Sequence, residues 1–207
     1  MVGRFISLEG GEGVGKSTQV RRLAEALRAR GHDVVETREP GGSAGAEAIR
    51  TLILEGEANR WTARAEALLF AAARADHVAR TIRPALEAGQ WVLTDRFIDS
   101  SLAYQGGADG IGVDAIRALH AIGSEGLLPD RTLVLELEPA TAASRESERD
   151  GGRLDRIGGR GTAYHDEVAT AFRRLAAAEP ARVRLVDASG AQDSVTERLL
   201  EALGGLL

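Results

Sequence analysis

The chain has 207 residues, 43% of them hydrophobic and 28% charged, with a net charge of −5. That is the size and composition of one globular domain with a substantial core, taken here as a single unit over 1–207, and it offers no global basic field to hold nucleic acid. The absence of cysteine excludes disulfides, thiolate catalysis and cysteine-based metal centres, and no apolar run reaches the length of a membrane span. With neither a membrane nor a nucleic-acid partner indicated, and an N-terminus that enters its first strand too soon for a signal peptide, a cytoplasmic location is expected.

Phe5-Ile6-Ser7-Leu8 reads as a short buried strand, and Thr18 to Arg30 as a helix. Between them Gly10-Gly11-Glu12-Gly13-Val14-Gly15-Lys16-Ser17 fits the pattern G-x-x-x-x-G-K-[ST] in the context where that pattern works. Glycines let the backbone turn so that successive N–H groups face phosphate oxygens, and the following helix adds the partial positive charge of its N-terminus. Lys16 can reach β- and γ-phosphates, and the Ser17 hydroxyl can join a magnesium shell. These eight residues therefore form a candidate ATP site, with Lys16 a catalytic candidate.

A second strand around Val34-Val35 ends near Arg38 and is broken by Pro40-Gly41-Gly42. Ala44 to Leu54 has helical spacing. Thr62 to Leu86 is a long alanine-rich helical pattern ended by Gly89, with Leu68, Leu69, Ala72, Ala75, His77 and Val78 as its expected buried stripe. Trp91 to Thr94 is a strand closing on Asp95-Arg96, followed by a flexible turn at Tyr104-Gln105-Gly106-Gly107 and a helix from Gly112 to Ile122 that Gly123 ends. Thr132 to Leu137 is a strand, and Pro139 begins a helix running to about Ser147. An arginine- and glycine-rich stretch follows, then a helix over Tyr164–Ala178, a strand over Val183–Val186 and a helix over Asp193–Leu203. Such βα alternation with nearly continuous apolar strands predicts an α/β fold: a P-loop kinase-like, doubly wound, five-stranded parallel sheet with helices on both faces and a short lid at about 148–161. Ligands should gather at the carboxyl ends of the strands.

Asp95 ends an apolar strand, where its carboxylate can approach a magnesium ion beside Ser17; Glu136, inside a later strand, is a rival for that role. Arg145, Arg149, Arg153, Arg156 and Arg160 recur at spacings of four, four, three and four, which share one helical face. Interleaved acids suit a solvated face, whereas the flanking glycines suit a lid that carries arginine onto a transferring phosphoryl group. Phe70 and Arg74, four apart, can stack on and bond a base, but spacing alone favours a core phenylalanine and a surface arginine. The four histidines are scattered without ligand spacing and read as non-catalytic.

Taken together, the segments Glu9–Ser17, Thr37-Arg38-Glu39-Pro40-Gly41-Gly42, Phe70–Arg74, Asp95-Arg96-Phe97, Ala103–Gly107 and Leu154-Asp155-Arg156-Ile157 resemble the thymidylate kinases, which phosphorylate dTMP to dTDP with ATP. The resemblance implies ATP as co-substrate, Mg2+ held by Ser17 and Asp95, and dTMP as acceptor. It also implies roles for residues: Phe70 stacked on thymine, Arg74 bonding the base, Arg96 on the acceptor phosphate with Arg50 assisting, and Ser101 and Gln105 at the base edge. Tyr104 would crowd the 2′ position, and Glu12 would approach the acceptor sugar. With no arginine in the phosphate loop, Arg149 and Arg153 resemble the lid cations of the bacterial type, so that Lys16, Arg96, Arg149 and Arg153 make the catalytic set. Asp187-Ala188-Ser189 resembles the family's adenine-side loop, and a homodimer using the Thr62–Leu86 helix is implied. A kinase for another nucleotide or a deoxynucleoside is the alternative within the class; a P-loop regulatory NTPase, which would need γ-phosphate-sensing segments, is the alternative outside it.

Overall fold

The computed structural model describes residues 3–57, 59–150 and 156–207, with backbone only over 146–150. Its centre is a sheet of β1 (Phe5–Gly10), β2 (Val34–Arg38), β3 (Trp91–Asp95), β4 (Arg131–Glu136) and β5 (Val183–Asp187), in the order β2-β3-β1-β4-β5. Every pairing is parallel, with Ile6 opposite Leu93 on one side and Arg131 on the other. Strand side chains alternate between faces, and both faces are dry along the central strands β1, β3 and β4. Phe5, Val92 and Val134 enter one core, which also takes Phe97, Val168 and Phe172. Their neighbours Ile6, Leu93 and Leu133 enter the other, which takes Leu23, Leu27 and Leu199. That is why the strands read as unbroken apolar runs.

The helices are α1 (Lys16–Arg28), α2 (Ala44–Leu54), α3 (Ala63–His77), α4 (Arg83–Glu87), α5 (Ile98–Ser101), α6 (Val113–Ser124), α7 (Pro139–Asp150), α8 (Thr162–Ala178) and α9 (Gln192–Leu203). α1 buries Gln19, Val20, Leu23, Ala24 and Leu27, a single stripe laid on the second core. Ser43 and Thr62 cap α2 and α3, each hydroxyl accepting the N–H three residues on at 3.3 Å. An i→i+5 turn over Val78–Ile82 joins α3 to α4, so the long expected helix is continuous but not uniformly α.

Three expectations are corrected. Of the expected stripe His77 and Val78 are buried, but Leu68 and Ala72 are exposed, and the buried side of α3 also holds Glu66, Ala67, Ala73 and Arg74. The long stripe was read for apolar residues, but this helix turns charged side chains inward because partners await them. Tyr104-Gln105-Gly106-Gly107 is no loose turn: it lies in a wide helical segment, Leu102–Ala108, that continues α5 and buries both Tyr104 and Gln105. Finally, α6 runs past Gly123 to Ser124 and stops where Glu125 enters the left-handed region at φ 52°. Gly123 is packing rather than punctuation, since a Cβ there would stand 3.3 Å from that of Ala75 on α3.

Candidate active site

A cleft of about 920 Å³ opens at the carboxyl ends of the strands. The strand order reverses about β1, which puts the loop after β1 at the switch point of the sheet. Gly10, Gly13 and Gly15 hold φ of 129°, 70° and 94°, values that favour glycine. Space demands it too at two of them, where a Cβ would come within 2.5 Å of the Leu135 carbonyl oxygen at Gly10 and 2.1 Å of that of Ala142 at Gly13. Gly15 caps α1 without a side chain, and the first turn of α1 carries no acid. The helix therefore offers its N–H groups and positive pole to an external anion.

Lys16 is buried and donates to the Gly11 carbonyl at 2.6 Å and the Gly10 carbonyl at 3.3 Å. Burial first, and then the Arg96 charge, lower its pKa from the ordinary value. Ser17 Oγ donates to Asp95 Oδ2 at 2.5 Å, which brings the side chains at the start of α1 and the end of β3 together. Glu136 is not part of this cluster: its carboxylate accepts from Arg173 Nε at 2.7 Å, away from the cleft lining.

Arg96 stands at the turn after β3 with φ 71°, a strained setting for a non-glycine residue that aims its side chain across the loop. Its guanidinium donates to the Gly10 carbonyl and Ser100 Oγ, both at 3.0 Å, to Glu12 Oε1 at 2.6 Å and to the Tyr104 hydroxyl at 3.2 Å. Burial alone would lower its pKa, but Tyr104, Glu12, Asp95 and Glu9 outweigh that and hold it well above the ordinary value. Burial pushes the Tyr104 phenol up to about 12. Beneath this group, Glu9 is buried and accepts from the Phe97 N–H at 2.7 Å and the Ser100 hydroxyl at 2.5 Å. Burial, then the Asp99 charge, raise its carboxyl to about 8.

The cleft is also lined by residues of α2, α3 and the Leu102–Ala108 segment. Phe70 lines it, half-buried and packed against the first core. Arg74 is buried, not on the surface as spacing favoured. Its Nε donates to Glu39 at 2.7 Å, and one terminal nitrogen donates to Ser101 Oγ at 2.8 Å and the Phe97 carbonyl at 3.2 Å. The other Glu39 oxygen meets His77 Nδ1 at 3.0 Å, and His77 Nε2 meets the Thr37 hydroxyl at 2.7 Å. His77 is thus one of the groups holding Arg74's partner. Arg50, Ser101 and Gln105 also line the cleft, Arg50 with Nη1 on the Pro40 carbonyl at 2.6 Å. Ala188, Gly190, Ala191 and Gln192, at and after the Asp187–Ser189 loop that resembles an adenine-side loop, line the cleft as well.

The arginine face divides. Arg145 on α7 lines the cleft, whereas Arg156 and Arg160 are not lid cations. Arg156 is buried against Glu66, with Nε on the Ile53 carbonyl at 2.8 Å. Arg160 binds Glu66 at 2.9 Å and Asp109 at 2.6 Å. The even spacing counted arginines but not the buried acids that claim two of them. Arg153 lies outside the described residues, and of Arg149 only the backbone is described. Glu9, Glu39 and Glu66 were missed as supports. The first two lie inside segments already singled out, but Glu66, beside Arg64 in an alanine-rich helix, carried no signal.

The cleft thus joins a glycine loop at a helix N-terminus, a second cation, Arg96, and a wall that carries Phe70, Arg74, Ser101 and Gln105. A family model described as thymidylate kinase matches residues 8–199. The chain is 69% identical to a thymidylate kinase from Rhizorhabdus wittichii over 207 residues, all of both chains. It is 47% identical to one from Caulobacter vibrioides over 203 residues, covering 97% of this chain and 96% of that one. Among solved structures, a thymidylate kinase from Ehrlichia chaffeensis superposes with a TM-score of 0.78 at 28% identity, covering 98% of this chain and 99% of the other. With fold and sequence matching along nearly its whole length, the chain belongs to the thymidylate kinase family.

Proposed function

We propose that the enzyme moves the γ-phosphoryl group of ATP onto the phosphate of dTMP, giving dTDP and ADP, with the cleft divided as follows. The loop Gly10–Ser17 and the N-terminus of α1 cradle the ATP phosphates, and Lys16 leaves the Gly10 and Gly11 carbonyls to meet the β- and γ-oxygens. Arg96 holds the acceptor phosphate, assisted by Arg50, while Glu12 keeps the guanidinium aligned. Phe70 stacks on the base, with Arg74, Ser101 and Gln105 along its edge and Tyr104 against the sugar. Phosphate is transferred in line between the two anion sites, so the protein's work is positioning and charge neutralisation.

Ser17 and Asp95 are the residues that would hold magnesium. Their hard oxygens fit, and since no cluster of three His, Cys, Asp or Glu side chains exists among the described residues, phosphate oxygens would complete its shell. When bound, the ion would neutralise charge on the ATP phosphates. No described helix is long and apolar enough to cross a membrane, and we further propose a homodimer that covers the exposed Leu68 side of α3.

One observation carries the reading: two cations, the buried Lys16 and the partly buried Arg96, converge on the same loop carbonyl of Gly10 from the donor and the base-slot sides. The test is kcat/KM for dTMP, dUMP, UMP and AMP with ATP. dTMP should lead, dUMP should follow within the factor a lost methyl allows, roughly 10–200-fold, and UMP and AMP should be poor. Arg96→Ala should weaken dTMP and dUMP alike. AMP turned over better than dTMP would overturn the substrate assignment.

A further inference from the structure

Glu66 lies in the first turn of α3, fully buried, and three side chains from other parts of the chain converge on it. Its Oε2 accepts from Arg156 and from Arg160 at 2.9 Å. Its Oε1 accepts from Arg160 at 3.1 Å and from Gln105 Nε2 at 3.3 Å. Phe70 stands four residues further along the same helix, on the wall of the cleft that Gln105 also lines. Arg160 is held in turn by Asp109 and the Tyr164 hydroxyl, both at 2.6 Å.

A side-chain amide has two ends, one donating and one accepting, and nothing in its own shape decides which faces a ligand. A carboxylate held by two guanidinium groups decides it, because it can only accept. The NH2 of Gln105 must turn toward Glu66, and the amide oxygen is left for the cleft. Resting on the dTMP kinase reading above, we infer that Glu66 is a positioning residue for base choice: it locks Gln105 so that an acceptor faces the ring. An acceptor suits the N3–H of thymine or uracil and opposes the unprotonated N3 of cytosine. A site built for one hydrogen-bond pattern rejects a base that leaves its buried group unpaired far more strongly than a methyl could.

The test is the ratio of kcat/KM for dTMP to that for dCMP, which does not depend on the fraction of enzyme that folds. Glu66→Gln offers Gln105 both a donor and an acceptor, so the amide can turn. The ratio should fall at least tenfold, mainly through a lower KM for dCMP, while the dTMP-to-dUMP ratio stays put. Because loss of a buried charge beside two arginines is destabilising, Gln105→Leu is measured alongside; it removes the amide and should also lower the dTMP-to-dCMP ratio. Arg160→Gln, which disturbs the same ion pairs but leaves the Glu66 carboxylate as the acceptor that Gln105 faces, should destabilise the protein and leave the ratio unchanged. An unaltered ratio in Glu66→Gln, or an equal fall in Arg160→Gln, overturns the inference. A wild-type enzyme that fails on dTMP instead overturns the reading on which it rests.

Discussion

Lys16 is folded back on the loop that carries it, its ammonium spent on the carbonyls of Gly10 and Gly11. Those bonds are local and replaceable by water, whereas phosphate oxygens offer full charge. Lys16→Ala should therefore lower kcat by ~10³-fold or more while the melting temperature moves little, since the truncated stem leaves no unpaired buried charge. Steady-state rates beside a thermal melt check this, and near-normal turnover would remove the loop lysine from the chemistry. Glu9 makes the complementary case of a charge the fold suppresses. Its carboxyl is raised from 4.5 to about 8, by burial first and by Asp99 second. In the folded chain it keeps a proton that the unfolded chain releases above about pH 4.5, so its contribution is complete below that value and is lost as pH rises toward about 8. Between about pH 5 and about pH 9 the melting temperature of the wild type should drop relative to that of Glu9→Gln, which carries no such proton. Parallel curves for the two proteins would show that Glu9 ionises freely.

At the scale of the element, the phosphate loop is held by its close approach to α7. The Cβ of an alanine at position 13 would lie 2.1 Å from the Ala142 carbonyl, at a φ of 70°. Gly13→Ala must push the loop off α7 or strain the backbone, so it should cost about 1–3 kcal/mol in urea denaturation and weaken ATP binding as the N–H cradle distorts. Unchanged affinity would mean that the cradle tolerates that shift. This loop was legible in the sequence because its glycines and its flanking strand and helix obey local rules. So were the strands, whose apolar runs need only two dry faces, and the helix over Ala44–Leu54. What sequence did not yield was which charged residues turn inward. Arg74, Glu66 and Arg156 are individually ordinary surface residues, and each is buried only because a partner 35 to 103 positions away meets it. The wide helical turn over Leu102–Ala108 was hidden for a related reason: Gly106-Gly107 reads as a break, yet Gly106 packs on Val113 and Ile116 and Gly107 on Ala171. Long-range packing, not propensity, chose the conformation there.

At the scale of the molecule, two helices turn apolar side chains outward on one side of the sheet. α3 exposes Leu68 by 57% with Ala72 one turn on, and α6, seated on Ala71 and Ala75 through Gly123, exposes Ile122 by 83%. Isolated exposed leucines are ordinary, but outward-facing large apolar groups on two packed helices gain from being covered. A two-fold contact between copies meets that need with one self-complementary surface. The wild-type protein should sediment at twice the 21.9 kDa of one chain at micromolar concentration. Leu68→Asp combined with Ile122→Asp should sediment as a single chain, because two carboxylates per copy would face each other across the axis without partners. The inner face of the same helix carries Glu66, Phe70 and Arg74, so the split should be felt in the cleft as a raised KM for dTMP, with the folded core intact by circular dichroism. A wild type that sediments at one chain mass would rule out the dimer. A double variant that still sediments as a dimer would move the contact to another face, and the KM measurement would then show whether α3 alone keeps the base slot in shape.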